Sequence, residues 1–283
     1  MTGNIVWIAS YPKSGNTWFR AFVANLLSGA DSPVHIDRLG AANGSSRALF
    51  DAFAGIDSAN LLPEEADLLR PEIYRRVSAQ AREIRFLKIH NAFRHLPGGQ
   101  PLFPPDATRS SIYIARNPLD VVPSFAHFLD EDPDRIISRM NEDGHVFNRE
   151  RNGMTEMLSN KMDSWSGNVR SWLEAPAEMK VHLIRYEDML QAPFETFSAA
   201  AAAMGIEKRD EEIRRAIDFS SFEILREMEL KGGFRERPPM AGSFFRQGKS
   251  GSWRESLSEK QASSIIEKNE SVMRNLGYLE GNL

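Results

Sequence analysis

Nine consecutive residues, Ser10-Tyr11-Pro12-Lys13-Ser14-Gly15-Asn16-Thr17-Trp18, bring together what an anion needs. Lys13 supplies charge, Ser14 and Thr17 supply hydroxyls, and Gly15 lets the backbone come close. The run follows an apolar segment, Ile5-Val6-Trp7-Ile8-Ala9, and opens into Trp18, Ala21, Phe22, Val23 and Leu26 at helical spacing. A strand, a tight turn and a helix start in that order point backbone N–H groups and a positive dipole end at a bound anion. A magnesium-dependent nucleotide loop would read G-x-x-x-x-G-K-[ST]. Here Lys13 precedes Gly15, and Ala9, Ser10 and Tyr11 offer no upstream glycine. The strand Ser111 to Ala115 leads into Arg116-Asn117-Pro118, with no aspartate to hold a metal. These residues describe a phosphate binder without a metal site. A nucleoside or small-metabolite kinase stays as the alternative, and a nucleotide-sensing protein without chemistry as a third reading.

Two further groups could do chemistry. Arg116 emerges from the carboxyl end of its strand, where open α/β sheets take ligands, and Ser124 follows eight residues later. Taken alone, Arg116 reads first as a surface ion-pair partner, of Asp120. Of the six histidines (35, 90, 95, 127, 145 and 182), only His90 lies just past a strand, in Phe86-Leu87-Lys88-Ile89-His90. A neutral imidazole there is a candidate general base. His95 is a weaker rival and reads as solvent-exposed.

The elements that must position these groups alternate as βαβ units around a parallel sheet. The strands expected are Ile5 to Ala9, Arg85 to Ile89, Ser111 to Ala115 and Val181 to Arg185. Helical patterns run over Thr17 to Leu27, Pro63 to Gln80, Met157 to Leu173, Pro193 to Met204, Arg209 to Ile217 and Ser258 to Leu276. Asn91 to Pro105 and Lys231 to Gly251, rich in Gly and Pro, read as mobile loops. The fold class is α/β: a single domain over residues 1–283, with a central, mostly parallel sheet flanked by helices and a P-loop-like phosphate loop.

Bulk properties narrow the function. The 283 residues carry a net charge of -4, so no nucleic-acid-binding surface is expected and any anion must be held by a local cluster. The absence of cysteine excludes disulfides, thiolate metal sites and cysteine nucleophiles. Neither a signal peptide nor a membrane span is evident, which predicts a cytoplasmic protein. A homodimer through the C-terminal helix is compatible with the pattern.

The phosphate loop resembles the 5′-phosphosulfate motif of sulfotransferases that use 3′-phosphoadenosine 5′-phosphosulfate (PAPS), Tyr-Pro-Lys-Ser-Gly-Thr-Thr-Trp, with Asn16 where Thr is usual. The resemblance continues in the family's order. Tyr113 to Phe125 resembles its 3′-phosphate motif. Phe244-Phe245-Arg246-Gln247-Gly248-Lys249-Ser250-Gly251-Ser252-Trp253-Arg254 resembles the closing pattern Arg-Lys-Gly-x-x-Gly-Asp-Trp-Lys, with Gln247 for Lys and Ser252 for Asp. Arg185 to Met189, Ser220-Ser221-Phe222 and Lys88-Ile89-His90 resemble shorter motifs. Trp165 and Trp172 resemble a tryptophan-rich helix, with Asn168 where His is common, although core packing is the preferred reading of both.

The resemblance implies a PAPS donor, a 3′,5′-adenosine bisphosphate product and no metal. It implies a cofactor site of Lys13, Ser14, Gly15, Asn16, Thr17, Trp18, Arg116, Ser124, Tyr186, Ser220, Phe222, Phe245, Arg246, Gln247 and Gly248. Lys13 would meet the transferring sulfuryl group, Arg116 and Ser124 the 3′-phosphate, and Trp18, Ser220 and Phe222 the adenine. His90 would be the base, with Lys88 and Lys13 stabilising charge on the leaving side. A small-molecule acceptor would be recognised by residues 91–105, roughly 125–155, and 231–244.

Overall fold

Apolar runs that can bury both faces become the sheet. In the computed structural model, which describes residues 3–147 and 156–279, all six residues of Ile5–Ser10 are buried. In chain order the elements are β1 (Ile5–Ser10), α1 (Asn16–Ser28), β2 (Ala42–Asn43), α2 (Arg47–Ala54), α3 (Pro63–Gln80), β3 (Arg85–Ile89), β4 (Thr108–Ala115), α4 (Pro118–Leu129) and α5 (Pro133–Asn141). They continue with β5 (Val146–Phe147), β6 (Asn160–Lys161), α6 (Trp165–Leu173), β7 (Val181–Arg185), α7 (Tyr186–Gln191), α8 (Pro193–Ala203), α9 (Asp210–Phe219), α10 (Phe222–Gly232) and α11 (Glu259–Asn275). A parallel five-stranded sheet has the order β2-β3-β1-β4-β7, and β5 and β6 form a separate antiparallel ribbon. In register, Ile5 pairs with Arg85 and Ala9 with Ile89.

The chain divides into two compact units. The first comprises residues 1–11, 41–113 and 143–183. Its core is aromatic: Trp7 packs against Tyr74 and Phe103, each with ring centroids 4.9 Å away, and Phe103 stacks on Trp172 at 5.1 Å. Trp165 and Trp172 are both fully buried, as their core reading requires.

The second unit comprises residues 12–40, 114–142 and 184–283. Phe22 of α1 meets Phe197 of α8 at 4.3 Å. A further cluster joins Ala21, Ile36, Leu39, Leu225, Phe234 and Phe245. The apolar face of α11 (Ala262, Ile265, Val272, Met273) is buried, and the helix packs on α4 and α5. That face is therefore spent within the chain.

Two expectations need correction. The helix predicted over Met157 to Leu173 begins only at Trp165. Its first half is claimed by β partners: Leu158 donates to the Ser45 carbonyl at 2.8 Å, and Lys161 pairs with Val146. Asp163 then adopts a left-handed φ of 66° and Ser164 caps the helix by accepting from Gly167 N–H. Residues 91–105 lack regular helix, as expected, but are pinned inward and do not form a mobile loop. Asn91, Leu102 and Phe103 are fully buried, Ala92 N–H donates to the Lys161 carbonyl at 2.9 Å, and Phe93 N–H donates to Ser171 Oγ at 3.0 Å. Of the acceptor segment 125–155, residues 148–155 lie outside the described residues.

Candidate functional site

Every residue expected to hold the nucleotide lies in the second unit. The phosphate loop leaves β1 and turns into α1 through two left-handed residues, Lys13 (φ 65°) and Gly15 (φ 100°). Gly15 is required twice over. A Cβ there would stand 2.7 Å from Tyr186 Cδ2 and 3.1 Å from Met189 Cε, and its φ suits only glycine comfortably. The loop thus rests directly on α7, which explains how Tyr186 joins the cluster. Tyr186 in turn meets Trp18 edge-on at 5.6 Å and lies under the Arg116 guanidinium at 4.3 Å.

Arg116 is buried and does not hydrogen-bond to Asp120. Its fork donates to two carbonyls, of Lys13 and of Lys249, both at 3.0 Å, so it ties the phosphate loop to the segment 244–254. Arg246 lies close enough that burial and the Arg116 charge together lower its pKa from the ordinary value. Two guanidiniums so placed repel until an anion joins them.

Asp120 does a different job. Fully buried in the first turn of α4, it accepts from Gly251 N–H at 2.7 Å, Trp253 N–H at 3.0 Å and Ser252 Oγ at 3.4 Å. Glu229, also buried, accepts from Phe244 N–H at 2.7 Å and Phe245 N–H at 2.9 Å. Two carboxylates therefore fasten the closing segment at both of its ends. Gly248, at φ 63°, packs so closely on Phe222 that a Cβ would lie 2.5 Å from the ring. Phe245 faces the apolar cluster with Ala21 and Leu225, and Ser220 Oγ, fully buried, donates to the Ile217 carbonyl at 3.0 Å. Arg246 donates to the Pro123 carbonyl and to Gln247 Oε1. Ser124 lies half-buried on α4. The Lys13 ammonium sits 4.2 Å from the centroids of both Phe128 and Phe244.

Three buried donors of this cluster, Ser14 Oγ, Trp18 Nε1 and Arg116 Nε, have no partner among the described residues. Buried donors left unmet are costly, and here they stand beside a helix N-terminus whose own N–H groups look for an acceptor.

The candidate base lies in the first unit. His90 follows β3, and its Nδ1 lies 2.8 Å from the Ser10 carbonyl and 3.3 Å from Ser10 Oγ. A carbonyl only accepts, so Nδ1 carries the proton and Nε2 keeps the lone pair. The backbone carbonyl of His90 accepts from Asn168 Nδ2 at 3.1 Å; Asn168 is fully buried, accepts from the Tyr113 hydroxyl at 2.7 Å and donates to the Met162 carbonyl at 2.7 Å. Burial holds the Tyr113 hydroxyl well above the ordinary tyrosine pKa, so it stays a donor. Trp172 Nε1 fixes the next peptide through the Asn91 carbonyl at 2.9 Å. Lys88 is half-buried in β3, level with Ile8 and Asn43.

The supporting roles of Asp120, Glu229, Ser10 and Asn168 escape sequence reasoning, because each acts on a partner distant in sequence or through its backbone. The sequence offers Asp120, just after Asn117-Pro118, as an ion-pair partner of Arg116, whereas the structure pairs it with the closing segment.

Against known proteins, a family model described as a sulfotransferase domain matches residues 4–277. The chain belongs to the sulfotransferase domain family. A flavonol 3-sulfotransferase of Flaveria bidentis is 25% identical over 281 residues, covering 93% of this chain and 79% of the relative. Cytosolic sulfotransferase 6 of Arabidopsis thaliana is 24% identical over 270 residues, covering 91% and 75%. The sulfotransferase fold is seen in a retinol dehydratase in complex with androsterone and inactive cofactor PAP, at a TM-score of 0.64 and 18% identity over 97% of this chain and 82% of that one. No helix among the described residues of this sulfotransferase is long and apolar enough to cross a membrane.

Proposed function

We propose that this sulfotransferase, acting as one domain, moves the sulfuryl group of PAPS to a hydroxyl or amine of a small-molecule acceptor by in-line displacement. The observation that carries the reading is the set of unmet buried donors, Ser14 Oγ, Trp18 Nε1 and Arg116 Nε, gathered where α1 begins and where Lys13, Arg116 and Arg246 concentrate charge. A nucleotide with phosphates at both ends fits that donor set. Lys13, Ser14 and the first N–H groups of α1 would hold the 5′ side, and Arg116, Arg246 and the backbone of the closing segment the 3′-phosphate. Trp18, Tyr186 and Phe222 would face the base.

Bound PAPS supplies an activated sulfuryl group. His90 Nε2 takes the proton of the acceptor as its oxygen or nitrogen bonds to sulfur, and the sulfur–oxygen bond to the 5′-phosphate breaks. Lys13 and Lys88 offset the charge that grows on the leaving phosphate, and 3′,5′-adenosine bisphosphate departs. No covalent enzyme intermediate is needed, and catalysis rests on positioning and charge stabilisation. The relatives support the acceptor class: one is named for a flavonol, and solved neighbours hold androsterone or retinol.

Calorimetric titration with 3′,5′-adenosine bisphosphate, in the presence of a chelator, tests the reading. Metal-independent binding that collapses in Arg116→Ala is expected. Binding only of ATP with magnesium would replace the reading with a kinase.

A further inference from the structure

Arg20 lies one turn beyond the phosphate loop, and nothing in the reaction described so far uses it. Its side chain is 3% exposed, an unusual place for a guanidinium. Both terminal nitrogens reach Glu236 at 2.8 Å, one to each carboxylate oxygen. The same NH2 also donates to Thr17 Oγ1 at 3.1 Å, three residues back on the same face of α1.

That bond has a directional consequence. A guanidinium only donates, so it occupies a lone pair of the Thr17 hydroxyl and leaves its hydrogen to be given elsewhere. Thr17 is itself buried, and its hydroxyl donates to none of the described residues. Thr17 lies in the first turn of α1, where the backbone already favours an anion. Through Glu236, Arg20 also reaches the segment that leads to Phe244, Phe245 and Arg246.

We propose that Arg20 is a positioning residue for the donor nucleotide: it turns the Thr17 hydroxyl into a donor for the bound phosphate and, through Glu236, anchors the segment that covers the other end of that nucleotide. The proposal rests on the PAPS reading above. It predicts an effect on nucleotide affinity rather than on the chemical step.

The test is calorimetric binding of 3′,5′-adenosine bisphosphate, joined to kcat and to KM for PAPS. A hydrogen bond to a charged group is worth about 1.5–3 kcal/mol, so Arg20→Gln should weaken binding by roughly ten-fold or more. KM for PAPS should rise in step, while kcat at saturating PAPS stays within about two-fold. Thr17→Val should lose affinity, Thr17→Ser should keep it, and Arg20→Gln should cost far less in the Thr17→Val background. If Arg20→Gln does not fold, Glu236→Gln, which loosens the fork without removing it, should weaken binding in the same direction. A folded Arg20→Gln that binds like the wild type, or losses at Thr17 and Arg20 that simply add, would overturn the proposal while leaving the PAPS reading intact. Failure of the wild type to bind the bisphosphate would overturn both.

Discussion

The surroundings of Arg116 and those of His90 are built from opposite materials. Around Arg116, formal charges are buried in number: Arg20, Asp120, Glu187 and Glu229 are each at most 9% exposed. The carboxylates bind backbone N–H groups or a guanidinium, while Lys13, Arg116 and Arg246 supply the positive charge of the cluster. The hydrogen bonds that orient His90 come from neutral groups: a carbonyl and hydroxyl of Ser10, the Asn168 amide, and behind it the Tyr113 hydroxyl. The contrast is physically apt. An anion cradle gains from unbalanced positive charge, whereas an imidazole that must accept a proton is served by a fixed tautomer. Substitutions that respect this division should split binding from turnover.

The largest split is expected at His90. Loss of a general base costs on the order of 10²–10⁴-fold in rate. His90→Ala should therefore lower kcat by that range while leaving the dissociation constant of 3′,5′-adenosine bisphosphate within about two-fold. Single-turnover sulfation and calorimetry on one preparation measure both. A mutant that keeps its turnover would remove His90 from the chemistry.

The reverse split is expected at Asp120. Asp120→Ala strands the N–H groups of Gly251 and Trp253 and the Ser252 hydroxyl, each bond worth about 1–3 kcal/mol to lose in a buried place. Because those bonds hold the closing segment, bisphosphate affinity should fall by roughly 10–100-fold. Saturating PAPS should restore most of kcat. A collapse of kcat that PAPS cannot rescue would mean the segment serves the chemistry as well.

The two environments were unequally legible in the sequence. The strand–turn–helix around Gly15 and the strand ending before His90 were readable because each is local: an apolar run, a turn residue with φ 100°, and a helical repeat lie within some twenty residues. Helix Pro63–Gln80 and strands Arg85–Ile89 and Val181–Arg185 were legible for the same reason. What holds these parts could not be read. Asp120 acts on residues 131 to 133 positions later, Arg20 on one 216 away, and Asn168 on a carbonyl 78 positions back. Residues 157–162 show the converse failure. Their composition permits a helix, but β partners at Ser45 and Val146 supply better hydrogen bonds, and local periodicity carries no record of such partners.

A smaller effect sharpens the cradle side. Gly248 needs its φ of 63° and abuts Phe222, so Gly248→Ala must move backbone or ring. Strain of this kind costs on the order of 1–3 kcal/mol. Thermal unfolding should shift down by a few degrees, and bisphosphate affinity should drop about three- to ten-fold. The imidazole side should not register it: the proton-transfer step, read by a solvent isotope effect on kcat, should match the wild type.

The smallest effect concerns Glu187, buried within reach of the Arg116 charge. Burial raises its carboxyl pKa above the ordinary glutamate value, despite the Asn117 N–H bond and the Arg116 charge that both pull it down. A raised native pKa means that the folded state binds the proton more tightly than the unfolded one. Stability therefore falls as pH rises from the ordinary glutamate range through the raised native value, above which the penalty is complete. Glu187→Gln keeps an oxygen for the Asn117 N–H and removes the buried charge. The variant should melt a degree or two higher than the wild type at pH about 7 and lose that advantage as the pH is lowered to about 3, where the carboxyl is protonated in both states. With one compensating anion gone from beside Arg116, the bisphosphate should bind as tightly as before or slightly more so. A variant that melts lower at neutral pH would show that Glu187 acts as a paired charge in the cradle, and the division between charged and neutral surroundings would then need an anion counted as part of the anion site.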